Sequence, residues 1–264
     1  METRHRAYIA EFLGTGLMVG FGLFAVAMFW SAASPLAALP VGPALRRLMT
    51  GFFFAGGATL IIYSPLGQLS GGHINPSVTL AFLSLGKISR TDAGAYIVAQ
   101  LAGATAGVAL LFGVMSGAVG WGDAVAVGAT RPGDGFSIPL VFGAEVLITF
   151  LLMLGILVIS NRRGIAHLTP AIAGTIVMSE VWLEAHVSGT SLNAARSLAP
   201  AIFSGIWEHH WIYWIAPILG AQLAALIYRI MPRVGPVLCC KLHHTDRYRC
   251  HHAACKIQPE GETT

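Results

Sequence analysis

Six runs of mostly apolar residues, at 8–30, 48–67, 93–115, 140–159, 168–185 and 211–231, constrain this chain more than any other feature. Each is close to the roughly 20 residues that cross the hydrocarbon core of a bilayer as a helix. Lipid offers the backbone no hydrogen-bonding partner, so a spanning segment must pair its own N–H and C=O groups, as a helix does. Only 11% of the residues are charged, against about 25% in a soluble domain. The expected class is an all-α membrane protein with six transmembrane helices sharing one interior. The first run, preceded by Arg4 and Arg6 and followed by Ser31 to Ser34, has the outline of a secretory signal. It exceeds the roughly 7–15 apolar residues of a signal core and contains Glu11, so it reads as a span.

The formal net charge of +4 does not point to nucleic acid, because the basic residues fall between the apolar runs rather than on one face. With six spans both termini share a side. Twelve of the sixteen Lys and Arg lie on that side, leaving Arg46, Arg47, Arg131 and Arg196 on the other. Basic loops stay in the cytoplasm, so both termini are expected there, in a plasma (inner) membrane.

The two halves of the chain echo each other in order. Glu11 and Thr15 in the first run answer to Glu145 and Thr149 in the fourth. Ser70 to Asn75 answers to Ser188 to Asn193, and Gln100 in the third run to Gln222 in the sixth. Short apolar stretches of about ten residues follow Asn75 and Asn193; they cannot cross but can form re-entrant half-helices. Each half carries three spans, an odd number, so the second enters the membrane inverted, an architecture of transport proteins. The expected organisation is an N-terminal segment 1–7, a first repeat 8–116, an outer connecting loop 117–137, a second repeat 138–231 and a cytoplasmic tail 232–264.

Two half-helices entering from opposite faces aim their positive N-terminal ends at one point. Such a point repels cations and protons, while Asn side chains there can bind the oxygen of a neutral molecule. Asn75 is a strong N-cap and Pro76 suits the first helical position. Here the chain resembles the aquaporin, or major intrinsic protein, family over about residues 7–231. The family's boxes read Asn-Pro-Ala; this chain has Asn75-Pro76-Ser77 and Asn193-Ala194-Ala195. The loss of proline at 194 removes a preset φ but leaves a good helix former.

The resemblance implies a selectivity filter at Ala55, Val181, Thr190 and Arg196; a slip of one residue would put Phe54 in place of Ala55. Water-selective members carry an aromatic residue and a histidine at the first two positions, so Ala55 and Val181 imply a wider, more apolar constriction. Ser197, where glycerol-conducting members usually have Asp, and the pair Tyr213-Trp214 follow the water-channel pattern instead. Arg196 would face a watery cavity and be held by carbonyls. Glu11 and Glu145 would brace the half-helix loops, as would His73; a proton relay through the glutamates is the rival reading. Of Glu180 and Glu184, one is expected to brace the loop before Asn193 and the other to be exposed. The resemblance also implies a homotetramer in the bilayer with one pore per subunit.

The implied function is passive passage of water and small neutral solutes, excluding protons and ions. The alternative is a channel chiefly for glycerol, urea or neutral metalloid hydroxides. An enzyme is disfavoured, since no nucleophile–base pair or metal cluster falls in the spans, and no cofactor is expected. The cysteines Cys239, Cys240, Cys250 and Cys255 all lie in the tail with His243, His244, His251 and His252. Thiolate and imidazole suit a soft metal, the Cys239-Cys240 pair suits palmitoylation, and a structureless tail without a task is the default. On that default the tail is dispensable for permeation.

Overall fold

The computed structural model of the chain describes residues 2–119, 126, 128–162, 164–232, 234–245, 247–248 and 250–257, and the described residues contain helices and no strand. The long helices are α1 (Glu2–Trp30), α2 (Pro43–Tyr63), α5 (Arg90–Val114), α6 (Ile138–Ser160), α7 (Thr169–Glu184) and α9 (Ile212–Ile230). Between them lie the short α3 (Pro65–Ser70) and two half-helices, α4 (Pro76–Ser84) and α8 (Ala194–Ser204). Five of the helices are long and apolar enough to cross a membrane. The sixth, α7, has 16 residues, about 24 Å at 1.5 Å per residue, and the tight turn Ala166–Leu168 extends it.

Local chemistry sets the ends. Proline occupies an opening position of α2, α3, α4, α6 and α7, where a missing N–H costs nothing. Ser89 caps α5 by accepting from Asp92 N at 3.0 Å. The second span stops four residues short of the expected 67, at Tyr63. The reason is Pro65, which disfavours helical backbone at Ser64; Ser64 turns extended and its hydroxyl caps α3 instead. Residues 2–7, expected outside the first span, continue its helix. Part of the expected loop 117–137 lies outside the described residues.

The helices pack as the repeat demands. Within the first half α1 lies along α5, within the second α6 lies along α9, and α2 meets α7 between the halves. Each half-helix crosses over: α4 packs on α9 and α8 on α5, and the two touch end to end. The contacts α1–α5 and α6–α9 are close because glycine stands at each. A Cβ on Gly103 would run into the carbonyl oxygen of Phe12, and one on Gly220 into that of Val146. With lipid on the outside there is no hydrophobic drive between helices, so close backbone packing carries the association.

That contact yields a matched test. Gly103→Ala places a methyl against the α1 backbone, an overpacking that costs about 1–3 kcal/mol, whereas Gly94 on the same helix has open space around it. Thermal unfolding in mild detergent should show a lower Tm and a poorer monodisperse yield for Gly103→Ala, and no loss for Gly94→Ala. Equal behaviour of the two would contradict the packing.

Candidate functional site: a pore between two half-helices

The half-helices meet at their N-termini through a reciprocal pair of hydrogen bonds. Asn75 Nδ2 donates to the Leu192 carbonyl at 2.9 Å, and Asn193 Nδ2 donates to the Ile74 carbonyl at 2.8 Å. Each side-chain oxygen meanwhile caps its own helix: Asn75 Oδ1 accepts from Ser77 N at 2.8 Å and Asn193 Oδ1 from Ala195 N at 2.9 Å. An amide NH2 carries two donors, so each Asn retains one N–H for a passing acceptor. The two caps share one backbone shape, φ −156° and ψ 121° at Asn75 against φ −155° and ψ 113° at Asn193. Alanine at 194 therefore leaves the second cap as well formed as proline at 76 leaves the first. The Ser77 hydroxyl is buried without a partner.

The residues before each Asn hold a costly conformation. Ile74 and Leu192 sit at φ 42° and 58°, a region that disfavours β-branched and bulky side chains, at about 1–3 kcal/mol each. A buried carboxylate holds each loop in place. Glu11 accepts from Ser70 Oγ at 2.7 Å, His73 N at 3.0 Å, Ile74 N at 2.8 Å and Gln100 Nε2 at 2.7 Å. Glu145 does the same for the other loop, from Ser188 Oγ at 2.6 Å, Ser191 N at 2.7 Å and Leu192 N at 3.0 Å. Tyr96 and Tyr213 complete the symmetry by donating to the carbonyls of Ser70 and Ser188, at 2.6 and 2.8 Å. Neither the strained residues nor Tyr96 were singled out from sequence, and Tyr213 was noted only as part of the water-channel pattern; the matched Ser-Gly pairs of the two loops carry the signal.

A vestibule of about 490 Å³ opens on the side away from the termini and is lined in part by Phe54, Val181, Thr190 and Arg196. Deeper lies a cavity of about 90 Å³ lined by both Asn residues, His73 and Ala55. Phe54, Val177, Ser191, Leu192 and Arg196 border both, so they surround the neck between them. The Arg196 guanidinium stands 5.5 Å from the Phe54 ring centre and donates to the Gly128 carbonyl at 2.8 Å. Ala55 does not share this level: it faces the deeper cavity, and Phe54 stands opposite the arginine. Of the two registers that the sequence allows, the one that slips by one residue is the one that puts its residue beside Arg196. Thr190 Oγ1 donates to Glu184 Oε2 at 2.7 Å. Glu184 thereby ties the loop before Asn193, while Glu180 is buried, 7% exposed, rather than at the surface.

The described residues of the tail are folded, contrary to the expectation that it lacks structure. It runs back across the end of the bundle that carries the termini, where loop carbonyls and amides have no helical partner. Leu238 N donates to Asn161 Oδ1 at 2.6 Å, Leu242 N to the Gly71 carbonyl at 3.0 Å, and Lys241 Nζ to the Gln68 carbonyl at 2.7 Å. His73 Nε2 lies 2.9 Å from the Cys240 carbonyl and its Nδ1 3.0 Å from Thr79 Oγ1; a carbonyl only accepts, so Nε2 carries the proton. Leu242 thereby lines the deeper pore cavity itself. Cys239 and Cys240 are 3% and 0% exposed, which leaves an acylating enzyme no access to them. Burial pushes the His244 imidazole down to about 4 and that of His252 to about 3, so both are neutral at pH 7.

Known proteins place this geometry. Residues 2–228 match the model of the major intrinsic protein family. The chain is 38% identical over 228 residues to mouse aquaporin-6, covering 86% of this chain and 72% of that protein. It is 40% identical over 225 residues to bovine aquaporin-2, covering 84% and 77%. The solved aquaglyceroporin of Plasmodium falciparum superposes with a TM-score of 0.73 at 24% identity, over 86% of this chain and 96% of that one, a likeness of fold. The crossed half-helices, the paired Asn caps and these matches together make the chain a member of the major intrinsic protein family, the aquaporins and their channel relatives.

Proposed function

We propose that the chain conducts water and small uncharged solutes passively through this pore and excludes protons and ions. The observation that carries the reading is the meeting of two half-helix N-termini, each capped by an Asn with an N–H to spare, directly below a buried Arg196. A neutral molecule exchanges its water hydrogen bonds for those amides. A cation meets two positive helix ends and a guanidinium in a neck with few compensating acceptors.

The filter we assign is Phe54, Val181, Thr190 and Arg196. Phe54 supplies a flat apolar wall facing the guanidinium, and Val181 a short side chain without a hydrogen-bonding atom. With the Thr190 hydroxyl engaged by Glu184, Arg196 is the filter's chief polar contact. A polyol or urea can slide its carbon side along Val181 while its polar side meets Arg196; a hydrogen bond to a charged group contributes about 1.5–3 kcal/mol. Water and solutes the size of glycerol or urea are the substrates this favours. Chief selectivity for such solutes is the second reading, and the apolar face of the filter favours it. The chain is proposed to work as a homotetramer in a plasma (inner) membrane with both termini cytoplasmic. Its exposed Phe52, Leu60, Leu147 and Leu151 are available to neighbours and lipid.

Stopped-flow shrinkage and reswelling of proteoliposomes tests the reading on the full chain and on Leu242→Ala, because Leu242 narrows the inner cavity. At least Leu242→Ala should pass water well above protein-free vesicles, and should also pass glycerol or urea. Adding Val181→His should cut solute flux several-fold and spare most of the water flux. Vesicles as tight to water as bare lipid with both proteins would refute the channel; water flux without either solute would refute the filter.

A further inference from the structure

Three thiols and an imidazole crowd together in the folded tail. Cys239 Sγ, a ring nitrogen of His244 and Cys255 Sγ lie within 4.8 Å of one another. Cys250 Sγ is 3.4 Å from Cys239 Sγ, and all four cysteines are unbridged. His244 Nε2 is buried with no hydrogen-bond partner. In a tetrahedral zinc site, bonds of about 2.3 Å to sulfur and 2.0–2.1 Å to nitrogen separate neighbouring ligand atoms by about 3.5–3.8 Å. Cys239, His244 and Cys255 therefore need to contract by only about an ångström around a central ion, and Cys250, 3.4 Å from Cys239 Sγ, is the nearest further thiol to complete the set.

We propose that Cys239, His244, Cys250 and Cys255 bind one zinc ion, and that the ion locks the tail as a plug in the mouth of the pore. The donor set, three thiolates and one imidazole, is that of a closed structural zinc site. Its charge with Zn²⁺ is −1, and a buried charge needs a counter-charge. Lys241, between Cys240 and His244 in the chain, is the cation at hand: it is 2% exposed and its ammonium is tied to the carbonyls of Gln68 and Tyr248.

The link to permeation lies in the order of the ligands. Cys239 and His244 stand on either side of Leu242, the residue that lines the pore cavity. Fixing both to one ion fixes the short segment between them, with Leu242 in the lumen and the Cys240 carbonyl on His73. Without the ion the plug rests on the burial of Val237, Cys239, Cys240 and Leu242 and on a few exchangeable hydrogen bonds. Metal binding is folding energy for a segment this small, so zinc closes the channel and its removal opens it. This second step rests on the channel reading above; the metal site does not.

The test uses the full chain, purified under reducing conditions, with Zn²⁺ and Co²⁺ as probes. One zinc per chain should be recovered, and Co²⁺ should give the intense visible bands of tetrahedral cobalt with sulfur charge transfer. Cys255→Ser and Cys239→Ser should abolish those bands; Cys240→Ala, outside the set, should keep them. In proteoliposomes the zinc-loaded protein should pass water several-fold more slowly than the chelated protein, and Leu242→Gly should be fast in both states while still binding cobalt. Protein that binds no metal, or whose bands survive Cys255→Ser, overturns the site. Metal binding with equal water flux in the loaded, chelated and Leu242→Gly proteins overturns the gate if that flux exceeds bare lipid. If all of them are as tight as bare lipid the channel reading fails instead, and the cobalt bands still decide the site. A thiol count that falls by two on purification, with no metal, identifies a Cys239–Cys250 disulfide in its place and likewise overturns the proposal.

Discussion

Two carboxylates buried in the core, Glu11 and Glu145, are the constraint on which the rest of the arrangement depends. Each gathers the backbone amides of a loop that has no secondary structure to pair them. Inside a bilayer an unpaired amide costs several kcal/mol, so a loop at mid-depth exists only where something accepts from it. The same bonds hold Ile74 and Leu192 at positive φ, and this turns their carbonyls toward the opposite Asn. Take away the carboxylates and the reciprocal Asn bonds lose the acceptors that align them.

From that alignment the chemistry of the pore follows. The oxygen of each Asn is spent on its own helix and one N–H on the facing loop, which leaves one donor per Asn in the lumen. Donors without free acceptors suit a molecule that arrives by its oxygen. They offer nothing to a proton or a metal cation, and the helix ends add a like-signed field. Above them the neck is asymmetric, with a guanidinium on one side and the Phe54 ring facing it. On the proposed function, selectivity by charge and selectivity by polarity are carried at two levels, and the second can vary while the first is kept.

Much of this was legible in the chain, and the parts that were not share a cause. The spans show as long apolar runs and the repeat as matched residues at matched positions, because lipid imposes one solution on such segments. Asn75, Asn193, Glu11, Glu145 and Arg196 stand out because polar residues in apolar surroundings are few. Register across the break at Ser64 and Pro65 left Ala55 and Phe54 both open, because a turn consumes residues without leaving a periodic trace; the ring that lies beside the arginine is that of Phe54. Nor was the folded tail legible. It has no helical or strand period, and what orders it are buried side chains such as Val237 and Leu242 and single bonds to distant groups such as Asn161, Gly71 and Gln68, which no local pattern records.

The central claim is that the crossed half-helices make a path for neutral molecules that is closed to charge. The most direct measurement records water and proton permeability in the same proteoliposomes containing the Leu242→Ala protein. Shrinkage is followed under an osmotic gradient, and lumenal pH under a proton gradient with the membrane potential clamped. The account predicts water flux that rises with protein density, with an activation energy well below that of diffusion through lipid, and proton entry no faster than in protein-free vesicles. Proton entry that rises in step with protein density, or water flux that does not, would contradict it.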